Sequence, residues 1–407
     1  MKKSLTIIML LFLATSSYAQ ENEIRVETKK IRDNIYEIYT YLHSNLSVNI
    51  YAFIGEEGTL LIDSGLEQTI DLVQKELQKI GANNIKYIIN THDDGDHTQG
   101  NRVLGPGATI ISHNNCRERL KNNPRFNEGG LPNLTFEDSL TLYFNNEEII
   151  LRYAPGHTNN DIYAEFKNVK LLFMGDMAFE NSFPIVHLHG SIDNLLSSLK
   201  RIQELHPAST KMMVSHGNPT KVSELQKYVE MIETTKEIVL TAIKNNIGLD
   251  EAVESKLLKD YNFWNSTVFQ TVNTDRWIET IYKTTEEGKA RSASFILNEM
   301  IDNQGCEKAR ELFNNIIGDK KYYFVEEDFN ALGYGYLFNR KNREALLVFI
   351  INTIMYPESS NAYDSLGEAY MTAGNDELAI KNYELSLKFN PENTNAEKMI
   401  KEIKLKR

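Results

Sequence analysis

His92-x-Asp94-x-Asp96-His97 puts four side chains that can bind a metal into six residues. Imidazole and carboxylate are the ligands of borderline divalent metals. A solvated acidic loop would account for the aspartates, but not for two histidines flanking them at this spacing. More such residues follow apolar runs further along the chain: His157 in Pro155-Gly156-His157-Thr158, Asp176 in Met174-Gly175-Asp176, and His216 in Ser215-His216-Gly217. Each run reads as a strand, so each residue falls at a strand-to-loop junction, where a rigid sheet can aim it. No Ser-His-Asp or Cys-His grouping competes with this set, and Cys116 has no recognisable nucleophile context.

The elements that must carry these residues are legible in the apolar spacing. Residues 34–41, 48–54, 60–63 and 85–90 read as strands, and the last runs directly into the His92 motif. Between them, Leu66, Ile70, Val73, Leu77 and Ile80 recur at helical spacing. The pattern continues as strand 108–112, helix 114–121, a Gly/Pro/Asn-rich loop to 133, and three or four strands between 140 and 174. Helix 192–205, strand 211–215 and a long helix over 221–245 complete it. Strands interspersed with helices predict two stacked sheets with helices outside.

The set Asp63-Ser64-Gly65, His92-x-Asp94-x-Asp96-His97, Gly156-His157-Thr158, Gly175-Asp176 and His216-Gly217 resembles the five ordered motifs of the metallo-β-lactamase superfamily. The resemblance covers roughly residues 30–230. It implies an α+β, four-layer αββα sandwich and a site for two divalent ions, zinc in most of the family. His92, Asp94 and His157 would hold the first ion, Asp96, His97 and His216 the second, and Asp176 would bridge them. Asp96 would also orient the nucleophile, and Asp63 would support the ligand loop. Such a pair of ions activates a water to hydroxide, which attacks an electrophilic centre.

The chain departs from the family at one position. The second histidine of the motif is Asp94, preceded by Asp93. More carboxylate and less imidazole shifts preference from zinc toward iron or manganese, and the flavodiiron branch of the fold makes a similar exchange. A weakened first position, with metal only at the second, is the competing expectation. His187-Leu188-His189 lies in a loop after Asp176; with i and i+2 sharing a face, both rings could reach the site as substrate contacts or extra ligands, or be ordinary polar loop residues. His113 reads as structural, and His43 and His206 as surface or packing residues.

Beyond the site the chain changes character. Residues 246–287 read as a helical extension with Trp264 and Trp277, and 288–407 as helix after helix. Within it Leu332-Gly333, Tyr336, Ala345 and Pro357 recur as Leu366-Gly367, Tyr370, Ala379 and Pro391, each offset by 34 positions. The marks resemble two tetratricopeptide repeats, at about 328–360 and 361–394, with a degenerate unit before them. Repeats of this kind bury their apolar faces only by stacking. They imply either a cap for the enzyme domain or a groove for a protein or peptide partner.

At the other end, Lys2-Lys3, an apolar run from Leu5 to Ala14 and Ser17-Tyr18-Ala19 read as a signal peptide over 1–19, ahead of a catalytic domain over 20–245. This predicts a periplasmic or secreted protein without a membrane span in the mature chain. With 44 basic and 56 acidic residues, net charge −12, nucleic acid is a poor partner. Two cysteines in different predicted domains make no disulfide framework. The expected function is metal-dependent hydrolysis of a small-molecule ester, lactone, thioester, amide or related bond. β-Lactam cleavage and a catalytically weakened binding scaffold are the alternatives.

Overall fold

The computed structural model describes residues 24–42, 47–123, 126, 128–179, 181–267, 269 and 271–405; the expected signal peptide and His43 lie outside the described residues. The first sheet contains β1 (Arg25–Arg32), β2 (Ile35–Tyr41), β3 (Ser47–Gly55), β4 (Gly58–Ile62), β5 (Ile85–Ile89), β6 (Thr109–His113) and β7 (Leu134–Phe136), in that spatial order. Pairing is antiparallel from β1 to β4 and parallel from β4 to β7. The second sheet contains β8 (Ser139–Phe144), β9 (Glu147–Tyr153), β10 (Ile162–Phe166), β11 (Leu171–Phe173), β12 (Lys211–Met213) and β13 (Thr220–Lys221), arranged from β13 to β8. Within it only β11 and β12 are parallel.

Strand periodicity explains how the sheets stack. On β3, Tyr51 and Phe53 face the second sheet and meet Phe166, Phe173 and Phe144. The alternate residues Ile50 and Ala52 face outward, against Ile70, Val73 and Leu77 of helix Ile70–Lys79. Burial on both faces is why β3 and β4 read as nearly continuous apolar runs. On the far side, helix Ile192–Leu205 buries Leu195, Leu199 and Ile202. It is tied to the loop after β9 by Ser198 Oγ donating to the Pro155 carbonyl at 2.8 Å. The result is the expected sandwich of two mixed sheets with helices outside.

Three edge features differ from the sequence expectation. β1 precedes the first expected strand; its sequence RVETKKIR is charged and largely exposed, and it pairs on one side only. β7 is a short strand immediately after the expected 122–133 loop, ahead of the strands expected from residue 140. The expected helix over 221–245 instead opens with β13 and a 3-10 turn at Val222–Glu224, and the α-helix is Leu225–Lys244. All three are short or polar segments whose structure comes from bonding to a sheet edge, not from their own apolar pattern.

The chain divides into two compact units, Met1–Ile238 with Lys256–Thr285, and Val239–Ser255 with Glu286–Arg407. The segment 246–287 is thus shared between them. In the first unit, Trp277 of helix Thr274–Thr284 is buried, stacks on Phe183 and donates from Nε1 to Thr235 Oγ1 at 2.7 Å.

The second unit is all helical. Glu326–Phe338 pairs with Asn342–Met355, and Ser360–Thr372 with Asp376–Phe389. The sequence offset has a structural counterpart: Gly333 lies against the Phe349 ring and Gly367 against Tyr383. A Cβ would sit 2.5 Å from the first ring and 2.9 Å from the second, so glycine is what lets each pair close. Tyr334 Oη donates to Glu368 at 2.9 Å, linking one pair to the next. The two cysteines are buried and unpaired. No described helix is long and apolar enough to cross a membrane.

Candidate metal centre

β4 and β5 run parallel, as do β11 and β12, so the residues that follow them leave the sandwich at common edges. β3 runs against β4, which brings its first residue, Ser47, to the same edge. Two backbone bonds join the sheets there: Ile162 N–H to the Thr91 carbonyl at 2.9 Å and Asn49 N–H to the Ser215 carbonyl at 2.8 Å. His92, Asp94, Asp96, His97, His157, Asp176 and His216 all come together at this edge.

The imidazoles are oriented from behind. Asp63 sits at φ 62°, in the left-handed region that few residues other than glycine enter. From there its carboxylate accepts Thr91 N–H, Thr91 Oγ1–H and His97 Nδ1–H, each at 2.8 Å. His157 Nδ1 donates to the Ile185 carbonyl at 2.8 Å, and His216 Nδ1 to the Ser47 carbonyl at 2.5 Å. A proton fixed on Nδ1 leaves Nε2 as a lone pair aimed inward, the arrangement of metal-binding histidines.

The inward atoms form two groups that share Asp176. In the first, Asp94 Oδ2 is 3.5 Å from His92 Nε2 and 3.2 Å from His157 Nε2. In the second, His216 Nε2 is 3.3 Å from Asp96 Oδ2, and His97 Nε2 is 3.8 Å from it. Asp176 reaches both: Oδ2 is 3.9 Å from His157 and 3.3 Å from His216, while Oδ1 is 3.5 Å from His97. Ligand atoms of a tetrahedral site with bonds of about 2.0–2.2 Å are roughly 3.3–3.6 Å apart. His92 Nε2, His97 Nε2 and Asp176 Oδ1 are buried without a hydrogen-bond partner. Buried polar atoms are rarely left so; three of them within 4.8 Å of one another fit a centre that holds divalent cations. Asp94 carries its carboxylate to the same place as the imidazoles of His92 and His157, so the shorter side chain still reaches.

The charges are strongly coupled. Burial alone would lower the pKa of His157 and His216, yet the Asp94 and Asp176 carboxylates override it and hold them at about 9 and about 10. His97 is raised too: against its burial act Asp176, Asp63 and Asp96. Burial opposes ionisation of Asp94 as well, but the close His157, His187 and His92 rings hold it far below the usual range. Asp176 is lowered in the same way by His216 and His97.

The remaining candidates separate. His187 Nε2 lies 2.9 Å from Asp94 Oδ2, and His189 Nε2 3.7 Å from Asp93 Oδ1. His113 is a structural residue: it stacks on Tyr153 at 4.1 Å and caps helix Asn114–Asn122 by accepting Asn115 N–H. His206 is buried beside Tyr163 and Glu165. Cys116 is fully buried, which pushes its thiol pKa up. The sequence reading did not single out Asp161, which holds the His157 loop through Thr158 N–H at 2.9 Å and Thr158 Oγ1 at 2.5 Å. Nor did it single out Arg119 and Asn160, which bind Asp93 at 2.8 and 2.6 Å. The only signal for Asp161 was its place four residues after His157. Beside His216 lies a cavity of about 360 Å³, lined among others by Tyr39, Tyr41, Phe179 and Phe269.

The metallo-beta-lactamase superfamily model matches residues 44–208, the stretch that carries all but the last of these side chains. Residues 44–208 form a metallo-beta-lactamase superfamily domain. The chain is similar to the hydroxyacylglutathione hydrolase of Prochlorococcus marinus (strain MIT 9312), 25% identical over 245 residues, 56% of this chain and 92% of the relative. It is also similar to that of Pelagibacter ubique (strain HTCC1062), 28% identical over 134 residues, 32% of this chain and 52% of the relative. Among solved structures, a metallo-beta-lactamase from Pontibacter korlensis aligns with 51% of this chain and 99% of its own, at 18% identity and a TM-score of 0.47. The metallo-beta-lactamase domain thus has hydrolases as its distant relatives, and its His/Asp clusters are of the kind that holds divalent metal.

Proposed function

We propose that the chain is a dinuclear metal-dependent hydrolase of a small ester, lactone, thioester or amide, with a thioester first among these. The observation that carries the reading is the convergence of seven ligating side chains in three overlapping triads, with Asp176 beside His92 and His97 in the middle one and within reach of His157 and His216. His92, Asp94 and His157 would hold one divalent ion, Asp96, His97 and His216 the other, with Asp176 between them. Ions so held supply Lewis acidity and bring the pKa of a water toward neutrality. Zinc is the proposed metal on family grounds, and the third carboxylate, Asp94, opens the site to iron or manganese.

The chain's own residues do the rest. Asp63 and the carbonyls of Ser47 and Ile185 keep three imidazoles in the ligating tautomer. Asp96, whose side chain is 28% exposed, faces the opening and orients the attacking water. The ring-lined cavity beside His216 takes the apolar part of the substrate and excludes water from it. A thioester leads because four relatives, at 25–30% identity, bear the name hydroxyacylglutathione hydrolase.

The test is metal content together with a substrate panel: a hydroxyacyl thioester of glutathione, a simple aryl ester, a lactone and a chromogenic β-lactam. Two ions per chain, and turnover lost on chelation and restored by metal, support the reading. Turnover of the β-lactam alone would select the β-lactamase alternative. No ion bound, and no substrate turned over, would leave a binding protein.

Two further parts of the reading concern the ends of the chain. Residues 1–19 would direct export and be removed before Gln20, giving a periplasmic or secreted enzyme; sequencing the N-terminus of the mature protein tests it. The 34-residue offset between helix pairs supports a tetratricopeptide-type array in the second unit, open to a protein or peptide partner.

A further inference from the structure

Asp93-Asp94 is faced across the site by His187-Leu188-His189. The His187 contact to Asp94 Oδ2, at 2.9 Å, is shorter than those of His157 and His92 to the same oxygen. We propose that His187 is a positioning residue for the first metal position: it donates to Asp94 and turns that carboxylate toward the ion. The inference rests on the two-ion reading above.

The loop that carries His187 is built onto the loop that carries His157. His187 N–H donates to the His157 carbonyl at 2.9 Å, Ser191 N–H to the Gly156 carbonyl at 2.9 Å, and the Ile185 carbonyl accepts from His157 Nδ1. Gly190 makes this approach possible: a Cβ there would stand 2.3 Å from the His157 carbonyl oxygen. One loop therefore fixes both the tautomer of His157 and the place of His187. The neighbouring ring supports it, since His187 and His189 stack at 5.4 Å and 12°, and His189 leans on Asp93. Asp93 is itself held by Arg119 and Asn160.

The need for such a donor follows from Asp94. A histidine presents one nitrogen in the plane of a rigid ring. A carboxylate offers two equivalent oxygens on a short stem, and a hydrogen bond from outside the ligand set decides which one faces the ion and how. The His187 side chain is 38% exposed, so core packing does not require it.

The experiment is calorimetric titration of Zn2+ into the chelator-stripped full chain. Wild type, H187A, H187Q, D94H and D94H/H187A are compared, each checked by thermal melting. Wild type takes up two ions. H187A keeps one at wild-type affinity and binds the other about 10–100-fold more weakly, the range for losing a partner of a metal ligand. H187Q, which keeps an N–H donor, recovers most of that loss. In the D94H background, removing His187 changes neither affinity. H187A binding both ions as wild type does, or losing as much affinity with His at 94 as with Asp, overturns the inference while the two-ion reading stands. Failure of wild type itself to bind a second ion would remove the two-ion reading before any His187 variant is considered.

Discussion

Asp63 illustrates why ligand type alone does not make a metal site. Its carboxylate is spent on Thr91 and on His97 Nδ1, leaving His97 Nε2 free. Asn is tolerated in the left-handed region that Asp63 occupies, so D63N should keep the backbone. Its amide, however, can present an N–H to Nδ1 and move the imidazole proton to Nε2. We expect D63N to weaken binding of the second ion about 10–100-fold with little change in melting temperature, read by metal titration and thermal unfolding. D176A removes a carboxylate that reaches both groups, so it should cost at least about 100-fold in kcat/KM, beyond the effect of any outer partner, with both ions weakened.

The seven inward residues were legible because histidine and aspartate at those spacings are chemically conspicuous. Their supports were not. The carbonyls of Ser47 and Ile185 leave no signature, since every residue carries one. The meeting of His187 with Asp94 spans 93 positions and depends on how two loops dock.

At the scale of elements, the strands that were readable are those buried on both faces, such as β3 and β4, whose runs are mostly apolar. β1 and β13 were unreadable because they are edge strands, ordered by a neighbour's backbone and free to be polar. The helix Ile70–Lys79 was readable because its apolar residues keep helical spacing toward one face.

A polar residue among the apolar ones gives a prediction here. Glu37, on β2, is almost fully buried opposite Tyr51 of β3. Burial raises its pKa, and Lys29 and the Tyr51 hydroxyl only partly offset this. Over the range between the ordinary value and the raised one, the folded chain binds more protons than the unfolded chain. Stability from this residue is therefore present at low pH and lost as pH rises through the raised value. E37Q keeps the shape and a hydrogen-bonding group without the charge. It should raise the melting temperature at pH 7 and flatten its dependence on pH between about 4 and 7. An unchanged pH profile in E37Q would show that Glu37 is not the source.

At the scale of the molecule, the chain holds two units with separate cores. One is centred on Phe53, Phe166 and Phe173, the other on Phe329, Phe349 and Tyr336. The sequence showed the change from strands to helices, and the offset of 34 positions showed that the helices repeat. It did not show that residues 246–287 divide between the units, because a run of short helices looks the same whichever core it joins.

Every side chain of the candidate metal centre belongs to the first unit. A defect confined to the second core can therefore separate the two. Gly333 is the place to make it. In a free helix, replacing glycine would gain up to about 1 kcal/mol. Here a Cβ would enter the space of the Phe349 ring, and overpacking of this kind costs about 1–3 kcal/mol. G333V should lower the melting transition of the helical unit while the bound metal and the turnover of the best substrate stay within about twofold of wild type. Calorimetry with metal analysis of the same sample reads both. If G333V strips the metal as well, the helical unit contributes to the stability of the site, and its role is more than that of an appended array.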